Sequence, residues 1–451
     1  TPEYNMPMVF RVTGTFSLKV LTQVFETILD RHEVLRSVYE AEGGEARQRV
    51  REVSALDFSI KEEDLSHLTG EKLAGEIESR VTADIKQAFN LAEDVMLRVC
   101  YIKTGGESGV LIFNMHHIAS DGWSVDVLTK EFFALYHAYS AGKANPLPGL
   151  PIQYIDYAHW QREYLSGEVL EGQLGYWEEK LAELPVVHSV PLDYARPATK
   201  GYEGGVVAGA LGGEVSQGLE ALASKFRLTP FMLLHGALCL LLSRHSNSQD
   251  IVIGTPVANR LHGELEPLIG FFVNTLVLRV DTTARALSAY LEDIRAVHLG
   301  AQSNQDVPFE QLVERMKVPR SSAHSPLFQI MMTTNTDYGL YGEAEGASFQ
   351  LPGVEITEFD SSLIQAKFDL NVELTLHEAG VGLRWTYDKG LFTERHIEQL
   401  NSHLCRLLEA LSEVGENTEV GISNLAMLSE REVEELVYEL NDTAQPYPEM
   451  A

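Results

Sequence analysis

The sequence predicts a mixed α and β fold, and three observations carry that prediction. Strand-like and helix-like segments alternate along the chain. The periodicity lapses over residues 184–205, where Pro185, Pro191 and Pro197 precede Gly201, Gly204 and Gly205, so a lobe boundary falls nearby. The chain has 451 residues, 45% hydrophobic and 22% charged, which is ordinary globular composition with enough length for two or three cores.

Residues 8–14 (MVFRVTG) read as a strand, and Ser17 can cap an amphipathic helix reaching residue 30. A second helix is expected over residues 71–89, followed by strands 96–103 and 109–117 joined by a turn at Gly105 and Gly106. The helix expected at 124–139 places Val125, Leu128, Phe132, Leu135, Tyr136 and Tyr139 on one apolar stripe. Further on, helices are expected at 216–226, 230–244 and 286–300, with strands at 250–254 and 270–280. Strands at 327–334 and 354–359, a strand pair over FDLNVELTLHE and GLRWTYD, and a helix at 393–414 complete the pattern. LGGEVS (211–216) reads as a turn, its serine displaced from a carrier-protein attachment pattern.

Composition narrows the function. The 35 Lys+Arg against 65 Asp+Glu give a formal charge of −30, which would repel a phosphate backbone and argues against nucleic-acid binding. Cys100, Cys239 and Cys405 are far apart in apolar surroundings, the usage expected of free thiols in a reducing compartment. The apolar run at 231–242 is too short to span a bilayer and contains His235. No secretory-signal pattern opens the sequence, so the expectation is a soluble, cytoplasmic protein with no membrane partner. No GxSxG elbow, Walker loop, HExxH or CxxC is present, which disfavours serine hydrolysis, P-loop nucleotide chemistry and a metal site.

MHHIASDGWS (115–124) concentrates the chemistry. Successive side chains on a strand face opposite ways, so a strand through His116 and His117 sends at most one imidazole into a given cavity. Asp121 starts a turn where a carboxylate can hold local amides or an arginine. Gly122 lets another molecule approach the backbone and leaves an amide to donate.

The HHxxxDG arrangement resembles the signature of the chloramphenicol-acetyltransferase-like acyltransferases, and in particular the condensation domains of nonribosomal peptide synthetases. RHEVLRS (31–37), YIDYAHW (154–160), IGFFVNTLVLR (269–279) and NQDVPFE (304–310) resemble that family's motifs in the family's order. PRSSAHSPLFQ (319–329) resembles a weakened form of its last motif, with Ser325 where asparagine is usual. The family's serine- and glutamine-containing opening motif is not seen ahead of TPEYNMP. ELNDTAQPYP (439–448) resembles the lead-in to an adenylation domain.

The resemblance implies two chloramphenicol-acetyltransferase-like lobes in a V-shaped pseudo-dimer with the site at their interface. The expected division is a lobe at 1–180 carrying HHxxxDG, a lobe at 181–430, and a linker at 431–451 toward an adenylation domain. The implied reaction is attack of an acceptor aminoacyl amine on a donor aminoacyl or peptidyl thioester. Both substrates are tethered to partner carrier proteins, upstream donor and downstream acceptor, whose phosphopantetheine arms replace any permanently bound cofactor. His117 is implied as the catalytic or positioning imidazole and Gly122 as the backbone donor at the thioester oxygen. His116 is expected to support the strand. Asp121 is expected to pair with Arg260 rather than transfer a proton. Ser120, Trp123 and Asn274 are candidates to line the substrate channel, Asn274 equally so for satisfying the core. Ester formation, epimerisation and non-catalytic recruitment on the same fold are the alternatives.

Overall fold

The computed structural model describes residues 2–334, 348–359, 364–440 and 442. Most of ELNDTAQPYP therefore lies outside the described residues. Contacts divide the chain into two units. The first takes residues up to Leu170, returns for Val257–Asn274, and includes the described residues within 336–363; the second takes the rest. The first break thus falls ten residues ahead of the expected 180, and two later segments belong to the first unit. The cause is local bonding: Val354–Glu358 pairs antiparallel with Asn5–Gly14, and Val257–Asn274 is tied to Asp121 and Ser124.

The first unit is built on a six-stranded sheet, in spatial order Ser348–Leu351, Val354–Glu358, Asn5–Gly14, Ser108–His116, Leu97–Gly105 and Lys61–Asp64. Ser108–His116 is central and its residues from Gly109 onward are buried, because helices cover both faces. Leu111, Phe113 and Met115 pack with Phe25 and Ile28 of helix Leu18–Arg31 and with Leu128, Phe132 and Leu135 of helix Gly122–Ser140. Val110 and Ile112 point the other way, toward Ile77, Val81 and Ile85 of helix Gly70–Lys86. Continuous burial of apolar residues on a two-sided strand is what gives GVLIFNMH its unbroken hydrophobic run.

The second unit holds another six-stranded sheet, ordered Gly204–Gly212, Gly380–Asp388, Leu370–His377, Ile330–Thr333, Asp250–Val257 and Asn274–Asp281. Helix Pro230–Ser246 starts behind its Thr229 cap with proline at the first turn, and every residue from Met232 to Leu242 is buried. Its all-round apolarity reflects a core helix.

Several elements differ from expectation for physical reasons. The hairpin Ser37–Glu42 and Glu45–Val50 and the edge strand Lys61–Asp64 are largely exposed and charged, so no alternating pattern marks them. Gly204–Gly212 lies partly within the expected connection, yet is laddered along its length to Gly380–Asp388. LGGEVS spans that strand's end and the start of helix Gly213–Lys225, where Ser216 is buried and donates to the His377 carbonyl. The long helix begins at Gly122 rather than 124, because Asp121 is its cap. Ser108–His116 stops one residue early, and His117 opens a short 3-10 turn to Ala119. The strand expected at 270–280 starts at Asn274.

Candidate active site

The two histidines diverge because the strand ends between them. His116 is the last ladder residue, opposite Asn5 on the neighbouring strand, and sits edge-on to Phe89 at 5.7 Å. Its Nδ1 accepts the Ile118 N–H at 2.9 Å. An N–H can only donate, so that nitrogen holds the lone pair and the neutral ring carries its proton on Nε2. Burial, reinforced by the neighbouring His117, pushes the His116 imidazole down to about 4. It is therefore a neutral, buried ring at neutral pH.

His117 has the opposite tautomer. Its Nδ1 lies 2.7 Å from the Ser120 carbonyl, which can only accept, so Nδ1 carries the proton and Nε2 the lone pair. The ring is half-buried and stands edge-to-face with Phe271 at 4.8 Å. The tight turn after the strand makes this possible, folding the Ser120 carbonyl back onto the ring three residues behind it. In their neutral forms the two rings therefore carry opposite tautomers, and the lone pair of His117 is on Nε2.

Asp121 is saturated. Its Oδ1 accepts from Ser124 N at 2.9 Å, Ser124 Oγ at 2.8 Å and Arg260 Nη2 at 3.2 Å. Its Oδ2 accepts from the backbone N–H groups of Phe272 at 2.9 Å and Val273 at 3.1 Å. The Asp121 and Arg260 side chains are only 2% and 1% exposed. Arg260 in turn donates through Nη1 to the Leu265 and Leu268 carbonyls, both at 2.6 Å, and lies 4.2 Å over the Phe272 ring. A carboxylate with five donors, one of them a buried guanidinium, is a structural anchor between the helix start and the 257–274 strip. This also explains the shortened strand: the carboxylate takes the Phe272 and Val273 amides.

Gly122 is exposed at the first position of the helix, and a Cβ built there meets nothing within 4 Å. Its φ is not in the left-handed region. The fold itself therefore does not require glycine, and it leaves room for another molecule to approach the backbone here. Helix N-terminal amides favour developing negative charge on such a molecule.

Trp123 donates Nε1–H to the Glu266 carbonyl at 2.8 Å, fastening the helix start to the same strip. Asn274 is buried at the start of its strand. Ser120 is buried, and its carbonyl accepts the Nδ1–H of His117.

Sequence reasoning missed three contributors. Ser124 Oγ accepts from Arg260 Nη2 at 2.9 Å and from Gly270 N at 3.0 Å, while its one hydrogen is shared between Asp121 Oδ1 and the Gly270 carbonyl at 2.9 Å. A serine three residues after a capping aspartate was the only local sign. Phe271 was hidden in an apolar run. Tyr154 donates to the Phe271 carbonyl at 3.1 Å, and its ring covers Gly270 so closely that a Cβ there would collide with it. Burial pushes the Tyr154 phenol well up, keeping it a donor. Among the described residues, no group of three or more His, Cys, Asp and Glu side chains is placed to hold a metal. Among them, too, no single helix is long and apolar enough to cross a membrane.

Two mixed α/β units, with the HHxxxDG segment running from the end of a central strand into a helix start, agree with the chloramphenicol-acetyltransferase-like fold that the resemblance implied. A family profile described as "Condensation domain" matches residues 1–437, and the chain belongs to that family of peptide-bond-forming domains of nonribosomal peptide synthetases. Gramicidin S synthase 2 of Brevibacillus brevis is 34% identical over 99% of this chain, which spans 10% of that protein's length. Malpinin synthetase of Mortierella alpina is 35% identical over 98% of the chain, which covers 6% of that relative. Among solved structures, the X-domain from teicoplanin biosynthesis, in complex with OxyB, matches with a TM-score of 0.82 at 25% identity, covering 94% of this chain and 91% of that one. A four-domain nonribosomal peptide synthetase bound to AMP and glycine matches with a TM-score of 0.78 at 24% identity, covering 96% of this chain and 32% of that one.

Proposed function

We propose that this chain joins a donor aminoacyl or peptidyl thioester to an acceptor aminoacyl thioester, with both acyl groups carried on phosphopantetheine arms of separate carrier proteins. The observation that carries the reading is the Nδ1–H bond of His117 to the Ser120 carbonyl, which in the neutral ring puts the lone pair on Nε2, five residues ahead of the exposed Gly122 in the chain. The acceptor amine attacks the donor carbonyl, a tetrahedral intermediate forms, and the C–S bond breaks to release the donor arm's thiol. The amine's proton passes toward that sulfur, and the new amide stays on the acceptor arm.

An α-amine has a pKa of about 7.7–8.0, so roughly a tenth is already neutral near pH 7 and prior deprotonation saves only about 1 kcal/mol. His117 is therefore most useful once attack has begun, accepting the proton that the forming C–N bond acidifies, or orienting the amine beforehand. The Gly122 amide is the donor suited to the oxygen that gains charge in the intermediate. Asp121 and Arg260 hold both groups in place without entering the proton path. Tethering raises the effective concentration of both thioesters, so weak carrier docking suffices. Residues 431–451 serve as the linker toward an adenylation domain, and the setting is cytoplasmic.

A recruitment role without chemistry is the second reading, because the X-domain match was solved in complex with another protein, OxyB. The two separate cleanly. Carriers loaded with donor and acceptor are mixed with the chain and followed by intact-protein mass spectrometry. Acyl transfer onto the acceptor carrier is the expected result. Carrier binding without transfer, for amine and hydroxyl acceptors alike, favours recruitment and overturns the proposal.

A further inference from the structure

We propose that Phe271 is a positioning residue that fixes the rotation of the His117 ring; the inference rests on His117 being the working imidazole. The Nδ1–H bond to the Ser120 carbonyl sets the tautomer of His117. A hydrogen bond at one ring nitrogen does not by itself fix the tilt of the ring plane. The Phe271 ring, 4.8 Å away at an interplanar angle of 79°, closes that freedom from a perpendicular direction.

Phe271 can do this only because its own backbone is clamped on both sides. Its carbonyl accepts the Tyr154 hydroxyl at 3.1 Å. The next two amides, Phe272 and Val273, end on Asp121 Oδ2. Burial alternates along the segment, with Phe272 and Asn274 buried and Phe271 and Val273 half-buried, so Phe271 stands on the more open side of its own strip while Phe272 packs against Arg260. Asp121 thus acts on His117 at one remove, through two backbone amides and an aromatic ring. The three parts come from separate stretches of sequence: the HHxxxDG segment, the helix at Tyr154 and the FFVNT strip.

The test compares Phe271→Leu, which keeps apolar bulk but loses the ring, with Phe271→Tyr, which keeps the ring. Neither touches the backbone amides bound by Asp121, so both are expected to fold, with melting curves as the check. Under single-turnover conditions with loaded carriers, Phe271→Leu is expected to lower the rate constant about tenfold or more while half-saturating carrier concentrations stay within about twofold. Phe271→Tyr restores the rate to within about twofold of the parent. Two-bond proton–nitrogen NMR on histidine-labelled protein reads the ring independently of activity. Sharp His117 signals of the Nδ1-protonated form are expected in the parent and in Phe271→Tyr, and broadened or averaged ones in Phe271→Leu. Unchanged His117 signals in Phe271→Leu overturn the proposal, as does a change confined to half-saturation, which would mark a substrate contact instead. If the parent shows no transfer at all, the functional reading fails, while the NMR comparison still decides the role of Phe271.

Discussion

Replacing Asp121 by alanine should destabilise the first unit far more than loss of an ordinary surface carboxylate. The side chain receives five hydrogen bonds, from Ser124 N and Oγ, Arg260 Nη2, Phe272 N and Val273 N, and it is 2% exposed. Removing it leaves the Arg260 guanidinium, itself 1% exposed, without its buried counter-charge. Breaking a buried pair in this way typically costs about 3–5 kcal/mol, and loss of the helix cap falls within that figure rather than adding to it. The expected drop in melting temperature is on the order of 10 °C for the transition of this unit. Asp121→Asn should be nearly as damaging, since an amide NH2 must then face either the Phe272 and Val273 amides or the Ser124 and Arg260 donors. Urea titrations followed by far-UV circular dichroism measure the loss, and adding Arg260→Met should recover part of it by removing the stranded charge. If Asp121→Ala unfolds within about 1 kcal/mol of the parent, the anchoring role assigned to this carboxylate is wrong.

Gly122→Ala should leave stability unchanged or raise it by about 0.4–1 kcal/mol, since the site has room for a methyl and alanine restricts the unfolded chain, yet transfer should fall sharply; full transfer with bulky donors would refute the close-approach role. His116→Gln should lower stability by about 1–3 kcal/mol through the Ile118 amide and lost burial, while transfer by the folded protein stays within about tenfold of the parent, measured at matched folded fractions. The histidines with lowered affinity for protons predict acid sensitivity: the buried His116 and His298 and the half-buried His245 are pushed down to about 4, and the buried His235 lies well below its usual value. Because the unfolded chain binds protons near pH 6.5 and the folded one does not, their contribution is complete above that pH. It is lost progressively as pH falls toward 4. Urea midpoints at pH 7 and pH 4.5 that coincide would contradict this.

The parts of the site that were legible share one property: they depend on short-range pattern. An apolar strand running into a histidine pair, then Asp-Gly ahead of a helical stripe, places His116, His117, Asp121 and Gly122 within one turn of chain. The partner of Asp121 came only from family resemblance, because 139 residues separate it from Arg260 and no local periodicity marks the strip between Val257 and Asn274. For the same reason Ser124 looked like an ordinary helix residue and Phe271 like part of a strand. Both owe their roles to a contact from another segment, and that contact also removes 270–273 from the ladder. The hairpin at residues 37–50 stayed hidden for a different reason. Its side chains are mostly solvated, so burial imposed no alternation on them.

The most direct test of the account is a single-turnover experiment with saturating donor- and acceptor-loaded carriers, comparing the parent with His117→Ala by intact-protein mass spectrometry. An imidazole that accepts the proton predicts loss of about 10²–10⁴ in the rate of amide formation, with binding of both carriers retained. A smaller, partial loss would assign His117 to orientation alone. Amide formation at the parent rate by His117→Ala would contradict the central claim.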